Sequence, residues 1–165
     1  MDEIAKSLAE SLTGKTANEL IVFIISMIPV LELRGSLLVA GPLLHMEFLS
    51  TFIIAVIGNM VPIPFILLFI DKIFNWLKKT KMKNLVEKLE SRALSKSDQI
   101  KKYGKFGLFL FVAIPLPGTG AWTGALAATL LRMKPKDTIL PIFLGVVGAG
   151  LIMSFIAFVL PSLFA

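Results

Sequence analysis

The chain has 165 residues, 56% of them hydrophobic and 17% charged, with a net charge of +6 and no cysteine. A mean hydropathy of +0.83, with charged residues well below the roughly 25% of ordinary globular domains, excludes both disorder and a soluble enzyme with one small core. The lack of cysteine excludes disulfides and thiolate metal sites.

Uncharged runs occupy residues 20–31, 35–44, 48–70, 106–131 and 138–165, more than half of the chain. A spanning helix needs roughly 20 predominantly apolar residues, so the expected fold is an all-α integral membrane protein forming a single membrane domain over 1–165. The positive charge does not indicate nucleic acid. Eleven of the 17 basic residues fall between Lys72 and Lys105, and Arg132, Lys134 and Lys136 add three more. Basic residues gathered in the loops of an apolar chain follow the positive-inside rule and place the loop 71–105 in the cytoplasm of a multi-pass plasma-membrane protein. The stretch before Leu20 is acidic on balance and lacks the basic n-region of a secretory signal.

Ile4, Leu8 and Leu12 recur at helical spacing, which predicts an amphipathic helix over 4–19. Residues 20–44 admit two readings. One is a single span carrying Glu32 and Arg34 near its middle. The other is a re-entrant hairpin that turns near Pro29–Gly35. Phe48–Ile70 reads as a span, with Gly58, Asn59, Pro62 and Pro64 predicting a kink. Met82, Leu85, Val86, Leu89 and Ala93 alternate with Lys83, Lys88 and Arg92, the pattern of a basic amphipathic helix over 82–104. That helix is expected to meet anionic lipid headgroups. The run 106–131 is broken by Pro115-Leu-Pro-Gly-Thr-Gly-Ala-Trp-Thr-Gly124 and is flanked on both sides by basic residues, which predicts a second re-entrant hairpin. Residues 138–165 complete the chain as a final span.

Phe23–Pro29 aligns without gaps on Phe109–Pro115, and each segment is followed by a long span. With opposite loop charges, this predicts an inverted-topology repeat of amphipathic helix, re-entrant hairpin and transmembrane helix, one unit over about 1–70 and the other over about 82–165. Two hairpin tips arriving from opposite faces would meet at half depth. Irregular backbone is tolerated there only inside protein or along a wet cavity.

Charged residues in an apolar segment are costly and mark pathways or internal pairs. Arg34 is therefore a candidate grip for an anionic group and Glu32 a candidate proton or cation exchanger, or the two form a structural ion pair at the tip. Gly118, Thr119 and Gly120 offer backbone amides and a hydroxyl to an anion, or they simply close a glycine-proline turn. Gly35, Pro117 and Trp122 belong to the same candidate substrate-binding set, and Asn59 is expected to hydrogen-bond a hairpin tip. One histidine, His45, at a loop cannot supply a nucleophile–histidine–acid set or a metal site, so neither an enzyme nor a cofactor is expected.

Pro29-Val-Leu-Glu-Leu-Arg-Gly35 together with Pro115–Gly124 resembles the small multidrug export family, over roughly residues 15–160. That family is in turn similar to the DedA/VTT superfamily of membrane proteins. The resemblance implies facing re-entrant hairpins with charged tips, and carriage of lipid-linked phosphates such as undecaprenyl phosphate, with proton coupling. Glu32 and Arg34 match the charged first tip and Pro117–Gly118 the second, although the second tip here lacks the arginine and acid usual in DedA proteins. The leading expectation is a transporter or flippase for an amphipathic anionic substrate, working as a homodimer or larger assembly. Efflux of small cationic drugs is the first alternative, and a non-transporting protein that organises membrane lipids the second.

Overall fold

The computed structural model describes the backbone of residues 2–160 and the side chains of residues 14–160. Eight α-helices follow in the order α1 Asp2–Met27, α2 Glu32–Ala40, α3 Phe48–Met60, α4 Pro62–Leu77, α5 Lys83–Ser95, α6 Asp98–Ala113, α7 Ala121–Leu130 and α8 Pro135–Ser154. A π-helical turn, Phe155–Val159, extends α8. The described residues are helical with no strand. Two continuous rods, Phe48–Leu77 and Pro135–Val159, are long and apolar enough to cross a membrane.

Several predicted boundaries move. No break separates an amphipathic helix 4–19 from the apolar arm that follows, because α1 runs unbroken from Asp2 to Met27. The change at Leu20 is one of composition only; no proline or turn-forming cluster lies there to open the backbone. Side chains of the predicted amphipathic residues Ile4, Leu8 and Leu12 lie outside the described residues. The span expected over 48–70 continues to Leu77, carrying Asp71 and Lys72 on helix. At the expected proline kink, Val61 keeps helical dihedrals and its N–H still bonds the Ile57 carbonyl at 3.1 Å. Pro62 and Pro64 withhold two donors there, and the rod divides into α3 and α4 at Val61, where the kink is expected.

The basic helix expected over 82–104 is two pieces. It stops at Ser95, where the Ser97 hydroxyl bonds back to the Leu94 carbonyl at 2.7 Å and competes with helix continuation. The chain then restarts at Asp98 and bends at Gly104, whose φ of 58° is outside the helical range. The last span starts at Pro135, three residues ahead of the predicted 138, and its predicted end at 161–165 lies outside the described residues.

Each interrupted helix pair forms a tight V. The helix α1 ends at Met27 and α6 at Ala113, so both breaks open two residues before the aligned prolines Pro29 and Pro115. In the first pair, the Ser26 and Ser36 hydroxyls lie 2.7 Å apart, buried, tying α1 to α2. At 9 and 10 residues, α2 and α7 are about 15 Å long, half of a bilayer core.

The open bases of the two V shapes lie at opposite ends of α8. Lys105, on α6, pairs with Asp137 near the start of α8 at 2.7 Å. Gly41, just after α2, packs against the Ala157 carbonyl at the far end, where a Cβ would come within 2.9 Å. Twenty residues separate those contacts, about 30 Å of helix. The interruptions point at each other from the two ends and meet between them.

Candidate functional site

The meeting point is built from a side-chain half and a main-chain half. The first break, Ile28–Leu31, delivers two charged side chains at the start of α2. The second, Ile114–Gly120, delivers exposed carbonyls from the end of α6 and exposed amides at the start of α7.

Helix α7 begins with orphan N–H groups, as every helix does. Its capping residue is Gly120, which has no side chain to satisfy them. The Glu32 carboxylate from the other V does so instead: it accepts from the Ala121 amide at 3.2 Å and from the Trp122 amide at 2.9 Å. Glu32 is only 4% exposed, and a carboxylate at the positive end of a helix dipole is favourably placed. Gly120 makes the approach possible. Its φ is 140°, and a Cβ built there would collide with Glu32 Oε2.

Arg34 closes the other half. Its Nη1 donates to the carbonyls of Leu116 and Thr119, each at 3.0 Å. Its Nη2 donates to the Val112 carbonyl at 3.2 Å, the Thr119 hydroxyl at 3.3 Å and the Ile114 carbonyl at 3.4 Å. A planar guanidinium is suited to such a fan, and carbonyls at the negative end of α6 favour a cation. Among the described residues no ion pair joins Glu32 to Arg34; the expected alternative of a direct pair at the tip gives way to two separate contacts with the opposite backbone.

The first break is strained. Val30 has φ 78° and Glu32 φ 50°, left-handed conformations uncommon outside glycine and rarest for a β-branched residue such as Val30. Val30 is 93% exposed, so packing does not compensate.

Beside the joined tips lies a half-open cavity of about 640 Å³. Its polar end holds Glu32, Arg34 and Thr119, with Pro117, Gly118 and Trp122 alongside. One wall is the ridge Ile66, Ile70 and Phe74 of α4, and Leu89 of α5, Leu126 of α7 and Met153 of α8 complete it. Lys96 stands behind the second tip and donates to the Pro117 carbonyl at 2.5 Å. Two donors are buried without partners at this end, Arg34 Nε and Trp122 Nε1.

Of the sequence-derived candidates, Glu32, Arg34, Pro117, Gly118, Thr119 and Trp122 thus share one cavity. Gly35, Gly120 and Asn59 do not line it. Gly35 packs within α2, where a Cβ would sit 3.1 Å from Leu31. Asn59 is fully buried, and its side-chain amide lies against the Glu32 carboxyl of the first tip. The free amide cradle expected at Gly118–Gly120 is also revised. The Thr119 N–H bonds Leu116, and the amides of Ala121 and Trp122 hold Glu32, so a carboxylate of this chain already fills the anion-binding end. The α4 ridge, Leu89 and Lys96 escape sequence reasoning. The apolar four look like any lipid-facing residues, and Lys96 is one of eleven basic residues between Lys72 and Lys105.

No curated protein and no solved structure matches this chain. A family model described as "Putative small multi-drug export protein" matches residues 32–152, from Glu32 through the second tip and into α8. The chain belongs to that family.

Proposed function

We propose that this membrane protein is a transporter whose substrate site is the cavity beside the joined tips. In this reading the two V shapes are re-entrant hairpins, related as an inverted repeat and inserted from opposite faces of the plasma membrane, with the segment 71–105 on the cytoplasmic side. Support comes from the half-bilayer lengths of α2 and α7 and from the V bases at opposite ends of α8. Transporters of inverted-repeat design place their sites at such a midplane junction of broken helices.

The substrate we infer is an amphipathic anion, with a lipid-linked phosphate of the DedA type as the leading candidate. The observation that carries this is the cavity itself: apolar along α4, and closed at one end by Arg34 with Arg34 Nε and Trp122 Nε1 as unpartnered donors. Buried donors without partners favour a ligand rich in acceptors. Its volume lies within the roughly 300–1,000 Å³ of ordinary ligand sites. Glu32 then acts as an internal substitute for the substrate headgroup. Protonation of its carboxylate weakens its hold on Ala121 and Trp122, freeing the α7 N-terminus for the incoming anion and coupling carriage to protons. A homodimer would supply the enclosure that so few helices lack.

The family description favours one second reading, efflux of small cationic drugs with Glu32 as the binding carboxylate. Reconstituted proteoliposomes separate the two. Accelerated transbilayer movement of a fluorescent polyprenyl phosphate, lost in Arg34→Ala, is the expected result. Export of ethidium with no movement of the polyprenyl phosphate would overturn the anion reading.

A further inference from the structure

Helix α5 touches the rest of the protein along one narrow stripe, Val86, Glu90, Ala93 and Leu94, and its remaining faces are open. Next to the stripe runs an exposed apolar edge, Met82, Leu85 and Leu89, at 45%, 49% and 39% exposure. Beyond that edge stand Lys88 and Arg92, and Lys81 is exposed in the turn just before the helix. Their spacing makes them neighbours: Lys88 lies three positions from Leu85, and Arg92 three from Leu89 and four from Lys88. The acidic residues lie on the other flank and are already engaged, Glu90 with Lys78 at 2.7 Å and Glu87 with Lys83 at 3.7 Å. Among the described residues Lys81, Lys88 and Arg92 have no carboxylate partner.

We propose that this face of α5 is a docking site for anionic phospholipid, with Lys81, Lys88 and Arg92 holding the headgroup phosphate and Met82, Leu85 and Leu89 lying on the acyl chain. Charge alone would also suit an RNA or an acidic protein. Either of those would leave three large apolar side chains in water, whereas a bilayer surface takes both halves of the face. Trp76 at the end of α4, 66% exposed, and Tyr103 on α6, 52% exposed, supply the aromatic anchors typical of that depth. Leu89 belongs at once to this edge and to the wall of the tip cavity, so a docked lipid sits at the cavity mouth. The docking stands on the surface of α5 and does not depend on what the cavity carries.

The cysteine-free chain allows a direct test. Leu85→Cys, labelled with a nitrobenzoxadiazole dye, is placed in phosphatidylcholine nanodiscs with small fractions of nitroxide-labelled lipid. Nitroxide phosphatidylglycerol should quench the dye at about one fifth of the fraction that nitroxide phosphatidylcholine requires, the ratio expected for about one basic contact's worth of preference. Lys88→Gln/Arg92→Gln should remove that ratio, while Lys134→Gln/Lys136→Gln should keep it; monodisperse elution of all variants guards against misfolding. Coincident quenching curves for the two lipids would overturn the proposal, as would a ratio that survives Lys88→Gln/Arg92→Gln. A dye that neither lipid quenches would also overturn it and would place this face in water, before a soluble acidic partner.

Discussion

Glu32 Oε1 lies 2.9 Å from the backbone nitrogen of Trp122, so one charged side chain caps a helix that begins almost ninety residues later in the chain. Removing that acceptor leaves buried N–H groups unsatisfied, at a cost of about 1–3 kcal/mol. Glu32→Ala should therefore lower the melting temperature of the detergent-solubilised protein. Glu32→Gln, which keeps one acceptor oxygen, should lose less stability but remove any proton dependence of polyprenyl phosphate movement in proteoliposomes. An Ala variant as stable as wild type would show that Glu32 does not hold α7.

Arg34 makes a different demand. Five acceptors surround its two terminal nitrogens, and a lysine ammonium has three donors and no plane to spread them. Arg34→Lys is expected to resemble Arg34→Ala in thermal stability, with both losing about 1–3 kcal/mol for the partly buried Val112 and Thr119 carbonyls left bare. Wild-type stability in Arg34→Lys would reduce the role of Arg34 to its charge alone.

Gly120 should tolerate no side chain. In Gly120→Ala the new Cβ meets the Glu32 carboxylate and the backbone sits at φ 140°, so strain of about 1–3 kcal/mol adds to the loss of the cap. Combining it with Glu32→Ala should cost less than the sum of the two single changes, because the collision partner is gone. Strict additivity in thermal unfolding would argue against direct contact between the two positions.

Val30 offers the reverse case. With φ at 78° and its side chain exposed, replacement by glycine relieves strain and removes little packing. Val30→Gly is expected to raise stability by about 1 kcal/mol. A substrate that needs the strained tip would then be carried more slowly by the more stable protein, which a parallel transport assay reads out.

Accessibility fixes the arrangement in the membrane. Single cysteines at Leu20 and Leu44, flanking the first V, should both react with an impermeant maleimide added from outside. Cysteines at Phe106 and Leu131 should react only from the cytoplasmic side. Labelling of positions 20 and 44 from opposite faces would mean that the first segment crosses the bilayer.

The breaks were legible because proline announces itself. Pro29 and Pro115 fall at matching points, and the helices before them end at Met27 and Ala113, as the ungapped alignment of the two segments implies. Glu32 and Arg34 stood out because charge is rare in apolar runs. Their partners were not legible. Apart from the Thr119 hydroxyl, each addresses main-chain groups, which every residue carries and no side-chain pattern reveals. The unbroken passage of α1 through Leu20 was hidden for a related reason, since a switch from polar to apolar composition leaves the backbone ladder unchanged. The wall formed by Ile66, Ile70 and Phe74 repeats at intervals of four, which suits a cavity and a lipid contact equally.

The junction of the two halves draws on side chains from one strand of the crossing and on bare polypeptide from the other. Tolerance to mutation should be correspondingly lopsided. At Leu116 the carbonyl survives most replacements of the residue bearing it, whereas Thr119 also lends its hydroxyl to Arg34, and Glu32 and Arg34 each act through their own side chains. A saturation library of this protein should show Leu116 permissive beside an intolerant Glu32, Arg34 and Gly120, although all four belong to a single contact.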